Sequence, residues 1–437
     1  MKCRCCNSDA NQIFVDLGTQ PPSNNYLSRK QVLEARAGKQ SSAEPEFPLV
    51  VYVCHKCWLV QLPMHASSQQ LFTESYAYFS STSSTWVEHA RRYVASMVER
   101  FSLNSDSFVV EVASNDGYLL QFVNQQGIPC LGIEPTHSTA AAARAKGIET
   151  TEEFFGRSFA KSLTQDRGQA DLLIGNNVLA HVPDLNDFVE GVATALSPDG
   201  VATFEFPHLM QLVGGKQFDT IYHEHYSYLA LHTVKRLFHN HGLRVFDVEQ
   251  LSTHGGSIRV FATPASSSKN QTSGRVAELL YRESEAGMQT TEYYANFQPQ
   301  VETIKHDLLN FLETCRANGE SVCGYGAAAK GNTLLNYAGV DQALLPFVCD
   351  AAESKQGKFL PGSHIPILAP EELVRFAPDH VLILPWNIAD EVVAQQSQRL
   401  GAKTKFHIAV PQMKLLSNPK ANKNRSHMAP ALARNRN

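Results

Sequence analysis

Four cysteines form two Cys-x2-Cys pairs, a spacing typical of metal sites. Cys3 pairs with Cys6, and Cys54 pairs with Cys57. Four thiolates from two such turns close a tetrahedral Zn²⁺ site that leaves no coordination position open, which is the structural kind of zinc site. The loop between the pairs is too short and polar to bury a core, so a metal would supply the missing stability. We expect a structural zinc site, with Cys5 as a spare thiol.

Two other interpretations of the cysteine pairs remain open. A redox Cys-x2-Cys pair normally follows a strand in a βαβ unit, and the second pair lacks that context. Disulfides are disfavoured because no secretory signal follows Met1. With nine cysteines and no such signal, we expect a reducing, cytoplasmic location.

The densest group of reactive side chains runs from Tyr222 to Tyr228, with the sequence Tyr-His-Glu-His-Tyr-Ser-Tyr. Histidine titrates near neutral pH and can act as a general base, while tyrosine can donate a hydrogen bond to a developing oxyanion. Asn177 and His181 follow a predicted strand and add polar groups at the same sheet edge. The alternatives are a metal site on the two cluster histidines, which lacks a third ligand of clear spacing, incidental surface aromatics, and a helix cap at His181.

A polar turn, Ala-Ser-Asn-Asp-Gly, follows the predicted strand that carries Glu111 and ends at Gly117. Backbone amides at such a crossing can face a polar ligand, and glycine permits close approach. Asn115 and Asp116 belong to this turn. Glu134, at the tip of the next strand, can accept hydrogen bonds from ribose hydroxyls. The pattern favours S-adenosylmethionine over a dinucleotide because GxGxxG is absent; a capped turn with a surface carboxylate is the alternative.

A second glycine-rich turn, Gly324 to Asn332, follows a strand and opens a helix. It resembles an anion cradle with a lysine at Lys330, although its spacing differs from a Walker A loop. Lys355 and Lys358 add positive charge downstream. A diphosphate is the simplest ligand for this arrangement, and a tight turn with solvated lysines is the alternative.

The elements that must position these residues alternate between strands and helices. Strands are predicted over 108–112, 130–133, 171–174 and 201–206, and again over 321–324, 345–349, 380–384 and 405–410. A helix is predicted over 85–101, with Val87, Ala90, Tyr93, Val94 and Met97 on one face. This alternation predicts an α/β fold with doubly wound sheets, in which ligands bind at the carboxyl ends of the strands.

The composition indicates a soluble globular protein of two or three domains. The chain has 437 residues, a net charge of −4 and 43% hydrophobic residues. These values indicate no nucleic-acid partner, and no apolar run approaches the roughly 20 residues that a membrane span needs. The residues from Lys414 onward are basic and poor in large apolar side chains, so we expect a disordered tail.

Taken together, six motifs in chain order resemble the nucleotide-sugar C-methyltransferases of deoxysugar pathways, from about Cys3 to Met413. The motifs are Cys3-x2-Cys6…Cys54-x2-Cys57, Tyr76-Ala-Tyr78-Phe-Ser-Ser81, Glu111-x3-Asn115-Asp-Gly-Tyr118, Tyr222-His-Glu-His225-x2-Tyr228, His254-Gly-Gly-Ser257 and Gly324-Tyr-Gly-Ala-Ala-x-Lys330-Gly-Asn332. Ala113, where relatives often carry glycine, is a departure in the turn.

The resemblance implies a zinc-binding module over 1–70 and a class I S-adenosylmethionine methyltransferase domain over 71–265. The polar, helical pattern without strand candidates that comes next predicts a helical connector over 266–319. A Rossmann-like nucleotide-sugar domain over 320–413 and a basic tail over 414–437 would follow. The resemblance also implies a monomer.

The implied reaction is C-methylation of a thymidine-diphospho-4-keto-6-deoxyhexose, most commonly at C3, with C5 also adjacent to the ketone. His225 would remove the proton, Glu224 would orient it, and Tyr222 and His181 would donate to the sugar or enolate. Tyr76 and Tyr78 would close over the cofactor or substrate, and no catalytic metal is needed. The implied cofactor-binding residues are Glu111, Asn115, Asp116, Gly117, Glu134, Asn177, Tyr78 and Ser81. The implied substrate-binding residues are Lys330, Asn332, Tyr325, Lys355, Lys358 and His254.

Two further functions remain as alternatives. The same cofactor fold could methylate oxygen or nitrogen of a small molecule, which would require no adjacent ketone. A zinc-knuckle scaffold that binds a nucleotide or RNA is disfavoured by the lack of a basic patch.

Overall fold

The computed structural model describes residues 1–37, 44–65 and 79–418. The strands within these residues are β1 Gln12–Gln20, β2 Phe47–Val53, β3 Val60–Gln61, β4 Val109–Val112, β5 Cys130–Ile133, β6 Thr150–Thr151, β7 Ala170–Asn176, β8 Leu196–Pro207, β9 Ser227–Tyr228, β10 Leu243–Leu251, β11 Ser257–Pro264, β12 Val322–Tyr325, β13 Val348–Cys349, β14 Ile367–Leu368, β15 His380–Ile383, β16 Lys405–Ile408 and β17 Lys414–Leu416. The helices are α1 Arg29–Arg36, α2 Ser84–Phe101, α3 Leu120–Gln125, α4 His137–Ala145, α5 Arg157–Arg167, α6 Leu185–Ala195, α7 Leu209–Gly214, α8 Leu231–Asn240, α9 Gly274–Glu285, α10 Thr291–Ala295, α11 Phe297–Ala317, α12 Ala329–Ala338, α13 Pro370–Phe376 and α14 Ala389–Arg399.

The chain divides into two compact units that interleave along the sequence. Unit 1 comprises Met1–Asp16, Val50–Gly214 and His223–Asn296, and unit 2 comprises Leu17–Leu49, Gly215–Tyr222 and Phe297–Asn437. Each unit is therefore built from segments that are far apart in the sequence.

Unit 1 is built around a seven-stranded sheet in the order β10-β11-β8-β7-β4-β5-β6. Strands β6, β5, β4, β7 and β8 pair in parallel, whereas β11 is antiparallel to both β8 and β10. All residues of β4 are buried, as expected for a central parallel strand covered on both faces. The predicted α/β fold is confirmed.

The order of these strands locates the binding edge of unit 1. Strand β4 lies between β5 and β7, so the later strands β5 and β7 are placed on opposite sides of β4. A crevice forms at such a switch point, outside the carboxyl ends of the strands. The residues that follow β4, β5 and β7 therefore reach one edge.

Helix α2 shows how the sequence specifies an element that covers this sheet. Ser83 caps the helix by accepting a hydrogen bond from the Trp86 amide, and Ser102 ends it in a left-handed conformation. Its buried side chains follow the helical period: Ala90, Tyr93, Val94 and Met97. The predicted helix over 85–101 is confirmed to within one residue.

Unit 2 contains a six-stranded sheet in the order β14-β13-β12-β15-β16-β17, parallel except for β17. Its switch point lies between β12 and β15, because the chain leaves β12 toward β13 and enters β15 on the other side. The glycine-rich turn predicted from sequence follows β12 and lies at this point.

A small sheet in the order β1-β2-β3-β9 accompanies the N-terminal cysteines. In its unit 1 portion, β3 pairs with β9 through Val60 with Tyr228 and Gln61 with Ser227. Among the described helices, none is long and apolar enough to cross a membrane.

Candidate active site

The four predicted zinc ligands lie together in unit 1. The Sγ atoms of Cys3 and Cys57 are 3.5 Å apart, as are those of Cys6 and Cys54, and all four lie within 4.8 Å of one another. Zn–S bonds of about 2.3 Å in a tetrahedron place sulfurs about 3.8 Å apart, so this arrangement fits zinc. With all ligand positions filled by thiolates, the ion would stabilise the fold and leave no position for substrate.

Arg4, within the first cysteine turn, connects this centre to the histidine cluster. Its guanidinium donates to the carbonyls of Leu62, 2.5 Å away, and Pro183, 2.9 Å away. It also lies over the ring of Tyr226, 5.3 Å from its centroid. Since Tyr226 precedes β9 and adjoins His225, the zinc-binding turn contacts the segment that carries the predicted base. No motif in the sequence singles out Arg4.

The turn after β4 has the conformation that a close ligand requires. Ala113, Asn115 and Gly117 all adopt positive φ, at 57°, 51° and 73°. A Cβ on Gly117 would lie 3.1 Å from Ile148 and 3.3 Å from Ala143, so the positive φ favours glycine and the tight space adds to that preference. Ala113 adopts a left-handed conformation, which is unfavourable for alanine.

The carboxylates at this edge have distinct environments. Glu134 accepts from the Asn115 amide at 2.9 Å and from the Thr136 amide at 3.0 Å, so it ties the tip of β5 to the turn after β4. Glu111 is 1% exposed, and its Oε2 has no hydrogen-bond partner among the described residues. Burial, with the nearby charges of Glu134 and Asp116, raises the pKa of Glu111 well above its usual range.

Asn176, the last residue of β7, presents unsatisfied polar atoms at the same edge. It is 7% exposed, and neither its amide nitrogen nor its amide oxygen has a hydrogen-bond partner in the described chain. The next residue, Asn177, has φ 53° and donates its backbone N–H to the Glu205 carbonyl at 2.7 Å. Buried polar atoms without partners are costly, so this edge suits a polar ligand such as S-adenosylmethionine. Its position at a strand end could have identified Asn176 as a site residue from the sequence, although only Asn177 was predicted.

Asp116 and Asn115 also hold the segment that precedes α2. Asp116 accepts from Lys146 Nζ at 2.9 Å, from the Ser81 amide at 3.3 Å and from the Ser81 hydroxyl. The Ser80 amide donates to the Asn115 side chain at 2.9 Å. Ser81 therefore contacts the predicted cofactor turn. Tyr76 and Tyr78 lie outside the described residues.

His181 and His225 lie side by side. Their ring centroids are 4.7 Å apart, and the His225 ring lies 6.2 Å from that of Tyr228, edge to face. His181 Nδ1 donates to the Glu224 carbonyl at 2.7 Å. Burial lowers the pKa of His181 to about 4, despite this hydrogen bond, so the imidazole is neutral near pH 7. Its Nε2 is then an acceptor.

The other members of the cluster occupy different positions. Glu224 is 2% exposed, and its backbone carbonyl is the group that fixes His181. Tyr222 is the last residue of the unit 2 segment Gly215–Tyr222, whereas His223 begins a segment of unit 1. The cluster therefore lies where the chain passes from one unit to the other.

A second polar group near the end of β8 was missed by sequence analysis. Glu205 is fully buried and accepts from Arg259 at 2.6 Å and from Thr253 at 2.9 Å. His89 Nε2 lies 2.9 Å from the same carboxylate. Burial alone would raise the pKa of Glu205, but the hydrogen bond from His89 and the Arg259 charge outweigh it and hold that pKa below its usual range. Only pairing between distant segments brings these residues together.

An aromatic group adjoins this carboxylate. The Trp86 ring stacks on His89 with centroids 4.9 Å apart, and it meets His254 edge to face at the same distance. It also lies 6.0 Å from Tyr118, which follows the cofactor turn. The structure therefore places His254, a predicted substrate-binding residue, in unit 1 beside that turn.

In unit 2, Lys330 lies at the switch point of the sheet. Its Nζ donates to Asn387 at 2.6 Å and lies 4.6 Å from the Trp386 ring centroid. Trp386 in turn donates to Asp219 at 2.7 Å. Burial raises the pKa of Asp219 to about 6, opposed by the Lys330 charge, while burial lowers the pKa of Lys330. The lysine is held among an aromatic ring, an amide and a carboxylate.

Lys355 reaches the same glycine-rich turn. Its Nζ donates to the Ala327 carbonyl at 2.9 Å, which also accepts from the Tyr26 hydroxyl at 2.6 Å. Gly326 has φ 91°, and a Cβ there would overlap the ring of Pro385, so only glycine fits. The Ala327 amide already donates to Asp350 at 2.7 Å, so this amide does not face an open cradle.

The remaining predicted residues of unit 2 contact protein groups. Asn332 is 1% exposed and donates to the Ser23 carbonyl at 2.6 Å. Tyr325 accepts from Gln396 at 2.9 Å. Lys358 is half-buried and continues the turn that contains Lys355. The structure therefore brings Lys330 and Lys355 to one turn, whereas Asn332 and Tyr325 pack beneath it.

Comparison with known families gives three matches along the chain. The family model described as "Putative zinc binding domain" matches residues 3–72, "Methyltransferase domain" matches residues 86–248, and "C-methyltransferase C-terminal domain" matches residues 252–411. These matches, with the four clustered cysteines and the edge after β4, confirm S-adenosylmethionine and structural zinc as the predicted cofactors. They also confirm enzymatic methyl transfer.

Solved methyltransferases resemble only part of the chain. Magnesium protoporphyrin IX methyltransferase from Synechocystis is 15% identical, covers 41% of this chain and 79% of its own, and gives a TM-score of 0.32. A methyltransferase from Listeria monocytogenes is 12% identical, covers 40% of this chain and 97% of its own, and gives a TM-score of 0.33. Scores this low support no assignment.

One curated relative spans nearly the whole chain. The C-methyltransferase NovU of Streptomyces niveus is 35% identical over 416 residues, which is 95% of this chain and 97% of the relative. That identity over both lengths exceeds what shared fold alone would give. The chain therefore belongs to the family of S-adenosylmethionine-dependent C-methyltransferases with an N-terminal zinc-binding domain.

Proposed function

We propose that this C-methyltransferase acts on a thymidine-diphospho-4-keto-6-deoxyhexose and methylates carbon 3 of the sugar. The observation that carries the proposal is the His181–His225 pair, in which His181 is neutral and fixed by the Glu224 carbonyl. A neutral His181 adds no positive charge beside His225, the residue that we assign as the base. The proton next to a ketone is the acidic proton that such a base removes.

In this mechanism His225 takes the C3 proton, and the electrons of the C–H bond delocalise onto the C4 oxygen as an enolate. General bases in this role contribute about 10²- to 10⁴-fold to the rate. S-adenosylmethionine, when bound, supplies a methyl group that passes to the enolate carbon while the bonding electrons remain on sulfur. Alignment of the enolate carbon with the methyl carbon and its bond to sulfur supplies much of the remaining acceleration.

The role of His181 differs from the one predicted from sequence. Because its Nδ1 donates to a backbone carbonyl and its pKa lies near 4, its Nε2 accepts hydrogen bonds near pH 7. We therefore assign His181 Nε2 as the acceptor of a hydrogen bond from a sugar hydroxyl. Tyr222 remains the proposed donor to the enolate oxygen.

Support for the diphosphate comes from unit 2. Lys330 and Lys355 both reach the glycine-rich turn after β12, at the carboxyl edge where parallel sheets bind ligands. Two ammonium groups at such an edge suit a phosphate-containing ligand. This assignment rests on their placement and on the predicted nucleotide sugar.

The test is to incubate the full chain with S-adenosylmethionine and thymidine-diphospho-4-keto-6-deoxyglucose, first in H₂O and then in D₂O. We expect a new methyl group on carbon 3 by NMR, and deuterium at carbon 3 of unreacted substrate in D₂O. His225→Gln should abolish both, while His239→Gln, on the exposed face of α8 in the same unit, should retain both.

The outcomes separate the alternatives. A methyl group on carbon 5 would move the position and retain the mechanism. A methyl group on oxygen or nitrogen, without deuterium exchange, would refute the enolate. Exchange that persists in His225→Gln would assign the base to another residue.

A further inference from the structure

Three metal-binding side chains meet in unit 2, at the end of the sheet opposite the predicted ligand edge. Cys315 lies in the last turn of α11, Glu320 precedes β12, and His380 begins β15. One ligand atom from each lies within 4.8 Å of the others. Cys315 is 3% and His380 is 4% exposed, so two of the three groups are buried.

Backbone hydrogen bonds fix these three positions relative to one another. The Glu320 amide donates to the Cys315 carbonyl at 2.9 Å, and the His380 amide donates to the Ser321 carbonyl at 3.0 Å. Val322 and His380 are register partners in the parallel pair β12–β15. The ligand atoms therefore lie on a rigid corner of the sheet, and metal binding would require little rearrangement.

A hydrogen bond at His380 Nδ1 leaves His380 Nε2 able to act as a metal ligand. His380 Nδ1 and His407 Nε2 are 2.9 Å apart, and Phe311 packs against both rings. When His380 Nδ1 donates to His407, the His380 Nε2 carries a lone pair that faces the cluster. A metal-ligating histidine normally donates its other ring N–H in this way.

The His380 Nε2 is poorly satisfied without a further partner. It is buried with no hydrogen bond among the described residues, and the closest carboxylate oxygen, Glu320 Oε1, lies 3.5 Å away. Lys405 Nζ lies 3.7 Å from the same oxygen. A separation of 3.5 Å is long for a hydrogen bond but is close to the spacing of two ligands on one zinc ion.

We propose that Cys315, Glu320 and His380 form a second zinc site, with one coordination position left for water. A thiolate and an imidazole select zinc over magnesium or calcium, and the carboxylate completes a three-ligand set. The site is independent of the four-cysteine centre and of the proposed sugar substrate. Glu320, the partly exposed ligand, provides the route by which the ion enters.

Metal counting on the full-length protein tests this site. The protein is equilibrated with excess zinc sulfate, desalted and analysed for zinc per chain. Cys315→Ser and His380→Gln should each lose about one zinc ion per chain relative to the wild type. Cys323→Ser removes another buried thiol of unit 2 that lies outside the cluster, and it should lose none.

A second readout uses the wild type alone, in case a cluster variant fails to fold. Stepwise chelation followed by native mass spectrometry should show two successive losses of zinc, with the four-thiolate ion released last. A single loss step would overturn the proposal, as would zinc contents in both cluster variants equal to the wild type. Either result would leave Cys315, Glu320 and His380 as neighbours that hold no metal.

Discussion

Glu283, in α9, is a buried carboxylate of unit 1 that we expect to stabilise the fold. It is 1% exposed and accepts four hydrogen bonds, two at each oxygen. Oε1 accepts from the Leu231 amide at 2.6 Å and from His208 at 2.7 Å. Oε2 accepts from the His232 amide at 2.9 Å and from its ring at 2.8 Å. The residue thereby caps α8, which follows the strand after the predicted base.

Glu283→Gln keeps the shape and places an NH₂ group where two donors point. Burial alone would raise the pKa of Glu283, but hydrogen bonds from His208 and His232 outweigh it and lower that pKa to about 2. A glutamate in an unfolded chain has a pKa of about 4.3. Each tenfold difference in acidity corresponds to about 1.4 kcal/mol, so ionised Glu283 stabilises the native state by about 3 kcal/mol at neutral pH. Leaving buried hydrogen-bond groups without a partner costs about 1–3 kcal/mol, which is of the same order.

We therefore expect Glu283→Gln to lower the free energy of unfolding by about 3 kcal/mol at pH 7, measured by urea denaturation. Amide exchange should also accelerate at Leu231 and His232. Glu285→Gln, an exposed position in the same helix, is the matched control and should change stability by less than about 0.5 kcal/mol.

The pH dependence provides an independent check. Because the folded pKa is depressed, the stabilisation is present above about pH 4.3 and is lost as the pH falls toward 2. The difference between wild type and Glu283→Gln should therefore close over that interval. A difference below about 0.5 kcal/mol at pH 7, or one that persists at pH 2, would refute the reasoning.

Three further predictions concern the other sites. Cys54→Ser should lose zinc and thermal stability, and amide exchange should rise at Tyr226; a variant that folds normally without zinc would contradict a structural role. Ala113→Gly should raise the free energy of unfolding by up to about 1 kcal/mol. Relief of left-handed strain gives about 1–2 kcal/mol, which exceeds the entropy cost of glycine, about 0.5–1 kcal/mol. A loss of stability in urea denaturation would count against this strain. Lys330→Met and Lys355→Met should each weaken thymidine diphosphate binding about 10- to 100-fold by calorimetry, because a charged hydrogen bond contributes about 1.5–3 kcal/mol. Lys403→Met, at an exposed position, is the control and should leave the affinity unchanged. Equal affinities in all three variants would remove the diphosphate assignment.

Much of the fold and several site positions follow from local patterns in the sequence. The Cys-x2-Cys spacing specifies four thiolates that need only two tight turns to converge, and the structure brings all four together. Alternating strands and helices place polar residues at strand ends, and the carboxyl ends of parallel strands share one edge. For this reason the sequence alone predicts that Glu111, Glu134 and Asn177 lie near one another. The individual roles of these residues remain predictions.

Other features depend on contacts between residues that are distant in the sequence. Glu283 reaches His208 and His232 across 75 and 51 residues, and Arg259 reaches Glu205 across 54. No local period encodes such pairs, because they depend on which strands become neighbours and in what register. Arg4 looks like an ordinary surface residue in the sequence, yet the fold places it against the ring of Tyr226.

The sequence by itself determined the chemistry available: four thiolates, an acidic strand end, a histidine–tyrosine cluster and a glycine-rich turn with a lysine. The tertiary structure decided the state of those groups. It turned His181 into a neutral acceptor by giving its Nδ1 a backbone carbonyl, and it assigned the segments on either side of Tyr222 to different units. Protonation and partner choice depend on burial and on neighbours in space, and the order of residues along the chain specifies both only through the completed fold.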